Sequence, residues 1–158
     1  MSRAVPAVPR WAIYSTFALS LVGLGVSTYL TYTHFEGVKY LACSANGVVD
    51  CAAVTTSAQS YFLGVPVAVL GLGHFVVMSL LTSPRGWRSP VRAVHLARLV
   101  LAIGAMAFVL WLVAAELLYI NRICLWCSAV HAVAFVQLVI MTLVGPAQLG
   151  WGRSVAKE

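Results

Sequence analysis

The sequence predicts an all-α integral membrane protein: a four-transmembrane-helix bundle with a long extracytoplasmic lid loop that bears a short helix. Three observations predict it. Of 158 residues, 61% are hydrophobic and only 9% charged, against about 25% charged in a soluble domain. The apolar residues fall in four long runs, each of about 20 residues or more, enough to cross a hydrocarbon core of about 30 Å at 1.5 Å per residue. The basic residues lie overwhelmingly on one side of those runs, which is how a multi-pass protein is oriented.

The first span runs from Trp11 to about Tyr32 without a charge, and the second from about Phe62 to Leu81. The third extends from about Val94 to Ile120, and the fourth from about Cys124 to Val144. Gly23, Gly25, Gly71 and Gly73 lie inside spans one and two, where small residues let helices approach closely. The whole chain reads as a single membrane domain, 1–158. Span one reads as a retained helix rather than a cleaved signal peptide, because its apolar region is too long and no small-residue cleavage site follows.

Arg3 and Arg10 precede span one, Arg85, Arg88 and Arg92 separate spans two and three, Arg98 sits in the first turns of span three, and Arg153 and Lys157 lie in the tail. Only Lys39 and Arg122 of the ten basic residues fall on the other side. Both termini are therefore expected in the cytoplasm, with the loop from about Thr33 to Tyr61 and the turn around Asn121 outside. This placement accounts for the net charge of +6 and leaves no basic face for nucleic acid. Tyr29, Tyr32, Tyr119 and Trp126 mark the outer interface, and Trp11, Trp87 and Trp151 the inner one.

The outer loop is about thirty residues long, and long loops in compact proteins are usually functional or disordered. Its low charge argues against a disordered tether. Val48, Val49, Ala52, Ala53 and Val54 fit a short helix lying on the bundle, so the segment reads as a lid.

All four cysteines fall on the outer side, as Cys43 with Cys51 and Cys124 with Cys127. On an oxidising face such pairs favour disulfide chemistry over metal binding. Cys124-Leu125-Trp126-Cys127 opens span four, so free backbone N–H groups and the helix dipole favour a thiolate there. Cys43 and Cys51 sit on the loop, separated in part by Ser44-Ala45-Asn46-Gly47, and exposed disulfides exchange readily. The competing readings are a zinc site made of both pairs and inert buried thiols. Zinc organises small domains that cannot otherwise fold, and a helical membrane bundle has no such need.

His131 follows Cys127 by four residues, so Cys124, Cys127 and His131 share one helical stripe. Its imidazole is expected either to donate to a carbonyl of a bound ligand or to bond a neighbouring helix carbonyl. His74 is expected to make a packing hydrogen bond. Glu116, close to the outer boundary, is expected to snorkel or to pair with Arg122. His95 and Arg98 read as inner anchors, and His34 as an interface residue.

Taken in order, Cys43-x7-Cys51, Val54-Thr55-Thr56-Ser57, Gly64-Val65-Pro66 with Gly71, and Cys124-x-x-Cys127 resemble the vitamin K epoxide reductase family. The resemblance covers roughly Trp11 to Leu143. In the disulfide-bond protein B type, the order of CxxC and spaced pair is reversed. The resemblance implies a helix bundle around a quinone of menaquinone, ubiquinone or vitamin K type. It implies that the loop pair exchanges with a thioredoxin-like partner, with Cys43 outward and Cys51 inward, and passes electrons to Cys124. Cys127 would then reduce the quinone. Ser57 matches the family's loop Ser/Thr beside the site. Val67 stands where many members have a quinone-bonding asparagine, and His131 where others have tyrosine. Some bacterial members carry a fused thioredoxin domain; here the partner is expected to be a separate protein. The resulting expectation is a membrane oxidase that supports disulfide formation. A vitamin K or quinone (epoxide) reductase is the alternative, and a Cys-rich metal module a third reading.

Overall fold

The computed structural model describes residues 8–43 and 46–149. Arg3, Ser44, Ala45, Trp151, Arg153 and Lys157, which entered the topology and loop arguments, lie outside the described residues. Helix α1 covers Arg10–Glu36, α2 Cys51–Thr55, α3 Val67–Thr82, α4 Pro84–Trp87, α5 Arg92–Ala114 and α6 Leu125–Leu149. Strands β1 (Tyr61–Phe62) and β2 (Val65–Pro66) form an antiparallel hairpin, and α5 runs on through a π-helical segment, Ala115–Ile120. Three helical stretches, Arg10–Glu36, Arg92–Ile120 and Leu125–Leu149, are long and apolar enough to cross a membrane. The protein is thus an all-α membrane protein.

The second apolar run differs from its sequence-based bounds. Only Val67–Thr82, 16 residues, is helical; the stretch from Phe62 to Pro66 belongs to the hairpin. Pro66 cannot donate a backbone hydrogen bond and sits at the N-cap. Leu63 (φ 51°) and Gly64 (φ 81°) form the two-residue turn, with positive φ at both positions as a type I′ hairpin requires. The other boundaries also move. Helix α1 continues to Glu36 and stops at Gly37, whose φ of 105° leaves the helical region. Helix α5 starts at Arg92. Helix α6 starts at Leu125, leaving Cys124 as its cap, and passes through Pro146 to Leu149. Pro146 forfeits only the bond to the Thr142 carbonyl, close to a helix end where the loss is small.

The closest helix pairing is α1 with α3; α6 lies against α5 and α1. Gly23 makes the first contact possible, because a Cβ there would overlap the buried Phe75 ring. At the end of the bundle remote from the cysteines, polar side chains lock four helices together. Trp87 Nε1 donates to Thr16 Oγ1 (3.1 Å), Gln137 Nε2 donates to Ser20 Oγ (2.6 Å), and Ser20 Oγ lies 3.0 Å from Thr82 Oγ1. Arg98 lies 3.4 Å from the Trp87 ring centroid and donates to the Leu81 carbonyl and to His95 Nδ1. His95, Arg98 and Trp87 are therefore not peripheral anchors. All three are buried, since a cation stacked on indole and bonded to carbonyl and imidazole acceptors is satisfied inside the bundle.

Gly23→Ala is expected to lower the thermal unfolding midpoint in detergent, with overpacking of about 1–3 kcal/mol exceeding the ~1 kcal/mol gain in helix propensity. Gly25→Ala, whose Cβ would meet nothing within 4 Å, is expected to leave the midpoint unchanged or raised.

Candidate functional site

Cys124 takes the role that Ser, Thr or Asp usually plays at a helix start. Its carbonyl accepts the first helical bond, from Ser128 N–H at 2.9 Å, and its Sγ accepts the Cys127 N–H at 3.3 Å. This is the N-cap geometry, with sulfur as the acceptor. Hydrogen bonding by the Cys127 side chain, aided by the Cys127 and Trp126 backbone N–H groups, holds the Cys124 thiol below the ordinary cysteine range, against burial and the Glu116 charge, which act upward. Cys124 and Cys127 are free thiols, the first fully buried and the second half-buried.

The loop pair is joined: Cys43 and Cys51 form a disulfide with Cα atoms 6.0 Å apart. Cys51 opens α2, whose N-cap Asp50 accepts the Ala53 N–H at 3.0 Å. Cys51 is 1% exposed and belongs to one buried cluster with Leu30, Leu41, Val54 and Cys124, against which Cys43 and Cys127 also pack. The loop thus brings its sulfurs to the dithiol.

Main-chain bonds hold that approach. Ile123 N–H donates to the Val48 carbonyl (2.9 Å) and Asp50 N–H donates to the Ile123 carbonyl (3.1 Å), forming a parallel bridge centred on Val49. The residues immediately before Cys51 and Cys124 are therefore bonded to each other. A second clamp acts beside Cys43. Trp126 Nε1 donates to the Ala42 carbonyl (2.9 Å), Tyr29 Oη accepts the Ala42 N–H (2.7 Å), and the two rings are 4.9 Å apart. Tyr29 and Trp126, expected as markers of the membrane interface, also grip the loop.

A cavity of about 450 Å³ opens beneath this cluster, walled mainly by apolar side chains of α1, α3, α5 and α6. Cys127, Ser57, Val67 and His131 all line it. Cys43, Cys51 and Cys124 lie behind its wall rather than on it. Ser57 Oγ donates to the Val54 carbonyl (2.8 Å), closing the turn after α2. His34 lines the mouth and bonds Tyr61 Oη at 3.0 Å.

Two polar residues on the wall depart from expectation. His74 makes no packing bond through Nε2, which is buried without a partner. Glu116 does not snorkel or pair with Arg122. It is 6% exposed, lines the cavity, and has its carboxyl against the Cys124 backbone N–H. Arg122 turns away to donate to the Asn121 carbonyl. The π-helical segment carries Glu116 inward, and such widened turns recur at functional sites. The signal for both was available, since an ionisable side chain inside an apolar run is a functional indication by default.

A profile of the vitamin K epoxide reductase family matches residues 14–142. The chain belongs to that family. Vitamin K epoxide reductase family members are membrane oxidoreductases that couple thiol–disulfide chemistry to quinones. The match runs from α1 to α6 and includes the loop disulfide, the CxxC pair and the cavity.

With the loop disulfide closed, the ultraviolet absorbance of thiolate is expected to report a Cys124 titration below that of an ordinary thiol. The lowering comes chiefly from the Cys127 side chain, so Cys127→Ala is expected to move the titration to higher pH and Cys127→Ser to move it less.

Proposed function

We propose that this protein is a quinone-dependent membrane thiol–disulfide oxidoreductase that draws electrons from a separate, extracytoplasmic thioredoxin-like protein and so supports disulfide formation. One observation carries the reading: Cys51 and Cys124 share a buried cluster, while Cys127, the second thiol of the CxxC pair, lines an apolar cavity. The two cysteine pairs thereby connect a loop surface to the membrane interior.

The half-buried Cys43 receives the attack of a partner thiolate, and Cys51 is the leaving sulfur, displaced toward Cys124. The partner's second thiol resolves the mixed disulfide, leaving the partner oxidised and Cys43 a thiol. Cys51 thiolate then attacks Cys124 of the oxidised CxxC pair and expels Cys127, and Cys43 attacks Cys51, re-forming the loop disulfide and releasing Cys124 as a thiolate that takes up a proton. The joined loop pair with free Cys124 and Cys127 corresponds to the stage at which electrons have reached the membrane dithiol. In this scheme Cys124 leaves readily as a thiolate because its N-cap amide and the neighbouring thiol stabilise the anion.

The cavity fits a quinone on the chemistry of its wall: an apolar enclosure for a flat ring and a buried imidazole nitrogen with no protein partner. A bound quinone supplies a two-electron, two-proton sink. His74 and His131 would hold its polar edge, while Ser57 and Val67 close the end beneath the loop. Menaquinone, ubiquinone and vitamin K types share these features.

The same reading makes α3 a fourth crossing helix and the whole chain one membrane domain, with both termini cytoplasmic. Arg85, Arg88 and Arg92 between α3 and α5 favour that orientation, which puts the loop and the cysteines at the extracytoplasmic face.

Purified protein with a reduced thioredoxin-like substrate is expected to bleach quinone absorbance. Cys124→Ala and Cys127→Ala should abolish turnover. Cys43→Ala or Cys51→Ala should block the protein substrate but spare a small dithiol. Full turnover with both CxxC cysteines replaced would overturn the proposal. His74→Leu is expected to raise the quinone KM by about tenfold, the worth of one hydrogen bond, with little change in KM for the thiol substrate.

A further inference from the structure

Glu116 is the buried ionisable group for which the relay above has no use. A carboxyl group at 6% exposure in an apolar bundle is costly unless something compensates it. Among the described residues no cation does: its stabilising contact is the Cys124 backbone N–H, and no positive charge there opposes burial. It lines the cavity together with Cys127, and its charge acts on both thiols of the pair. Its backbone carbonyl, bonded by the Arg122 N–H at 3.2 Å, is fixed in the π-helical turn. The position is therefore built, and it is the position a proton would cross between thiol and cavity.

Oxidation of the dithiol demands such a crossing. Two S–H bonds break, one S–S bond forms between Cys124 and Cys127, and two electrons and two protons pass to an acceptor of the quinone class. Cys127 lines the cavity and can release its proton there. Cys124 is fully buried behind the wall, so its proton needs a carrier.

We propose that Glu116 is that carrier: its carboxylate takes the Cys124 thiol proton and hands it to the acceptor side of the cavity, returning to carboxylate with each turnover. The inference rests on the quinone-linked reading above and names a proton-transfer residue for it. The geometry suits the role, because the carboxyl contacts the main chain of the very residue it deprotonates.

The test combines steady-state kinetics with an acceptor-free titration, using full-length protein in detergent, a short-chain quinone and a small dithiol. The other titratable groups lining this cavity are Cys127 and His131 from α6, His74 from α3 and His34 from α1, with Cys124, the cap of α6, behind its wall. Glu116→Gln is expected to lower kcat about 100-fold, the lower range for lost proton transfer, with quinone KM within about twofold of the parent on the same argument of an unperturbed binding wall. It should also erase the acid limb of the pH–rate profile, which reflects protonation of the carboxylate. Glu116→Asp, which keeps the charge on a shorter stem, should restore part of the rate and the acid limb.

Without quinone, the reduced Cys124–Cys127 pair of Glu116→Gln should form thiolate at lower pH than the parent, because a neighbouring negative charge has gone. Parent kcat with an unchanged acid limb in Glu116→Gln overturns the inference while the relay stands. If Glu116→Gln does not fold, Glu116→Met, close in size and unable to carry a proton, overturns it equally if it keeps the parent rate and the parent pH profile. A parent protein that reduces no quinone with any dithiol overturns the functional reading and this inference together.

Discussion

The site depends on a short stretch of main-chain pairing. Val48 and Asp50 bond both polar groups of Ile123, so the residue ahead of Cys51 and the residue ahead of Cys124 are fixed to one another. Backbone bonds of this kind leave little freedom in register. The side chains that follow, both sulfurs, are then delivered to a single buried cluster. Without this pairing, a thirty-residue connection would have to find the dithiol by diffusion of its tip. The Ala42 clamp does for Cys43 what Ile123 does for Cys51, using aromatic side chains in place of backbone.

Electrostatics at the two ends of the bundle contrast. At the cysteine end, two buried groups on the cavity wall are incompletely matched among the described residues: His74 Nε2 has no partner and the Glu116 carboxyl no cation. At the far end every buried cation, hydroxyl and indole N–H is tied to a neighbour. The exception there is Gln137 Oε1, which has no partner. Native proteins tolerate unsatisfied buried groups mainly where chemistry or ligands use them. The far end reads as the rigid base, and the cysteine end as the working part.

Much of this was legible beforehand. The three long spans follow from apolar run length alone, and the cysteine pairs, Ser57, Val67 and His131 were all marked as site residues from spacing and resemblance. What was missed has physical reasons. Hydropathy does not separate Phe62 to Pro66 from the helix that follows, because a tight hairpin made of Tyr, Phe, Leu, Val and Pro is as apolar as a span; only Gly64 and Pro66 mark it. Tyr29 and Trp126 sit where interface aromatics belong, and their use as loop clamps requires knowing where Ala42 goes. Glu116 near a boundary has the same pattern as a snorkelling side chain. The π-helical turn that carries it inward is a backbone event with no distinctive composition.

Helix α3 has 16 residues and spans about 24 Å, less than the usual hydrocarbon thickness of about 30 Å. Its neighbours on either side, 27 and 29 residues long, have length to spare. If α3 crosses the bilayer, the lipid collar around the protein is lopsided, thinned beside α3 and relaxed elsewhere. The hairpin at its head partly fills the step. Phe62 rests on Phe108 and Trp111 of α5 (5.2 and 5.8 Å between ring centroids), while Leu63, 89% exposed, projects from the turn. With α3 in the bilayer, such a greasy tip would wedge among headgroups where the helix falls short, and would make membrane thickness a physical variable in how the cavity's upper rim is held.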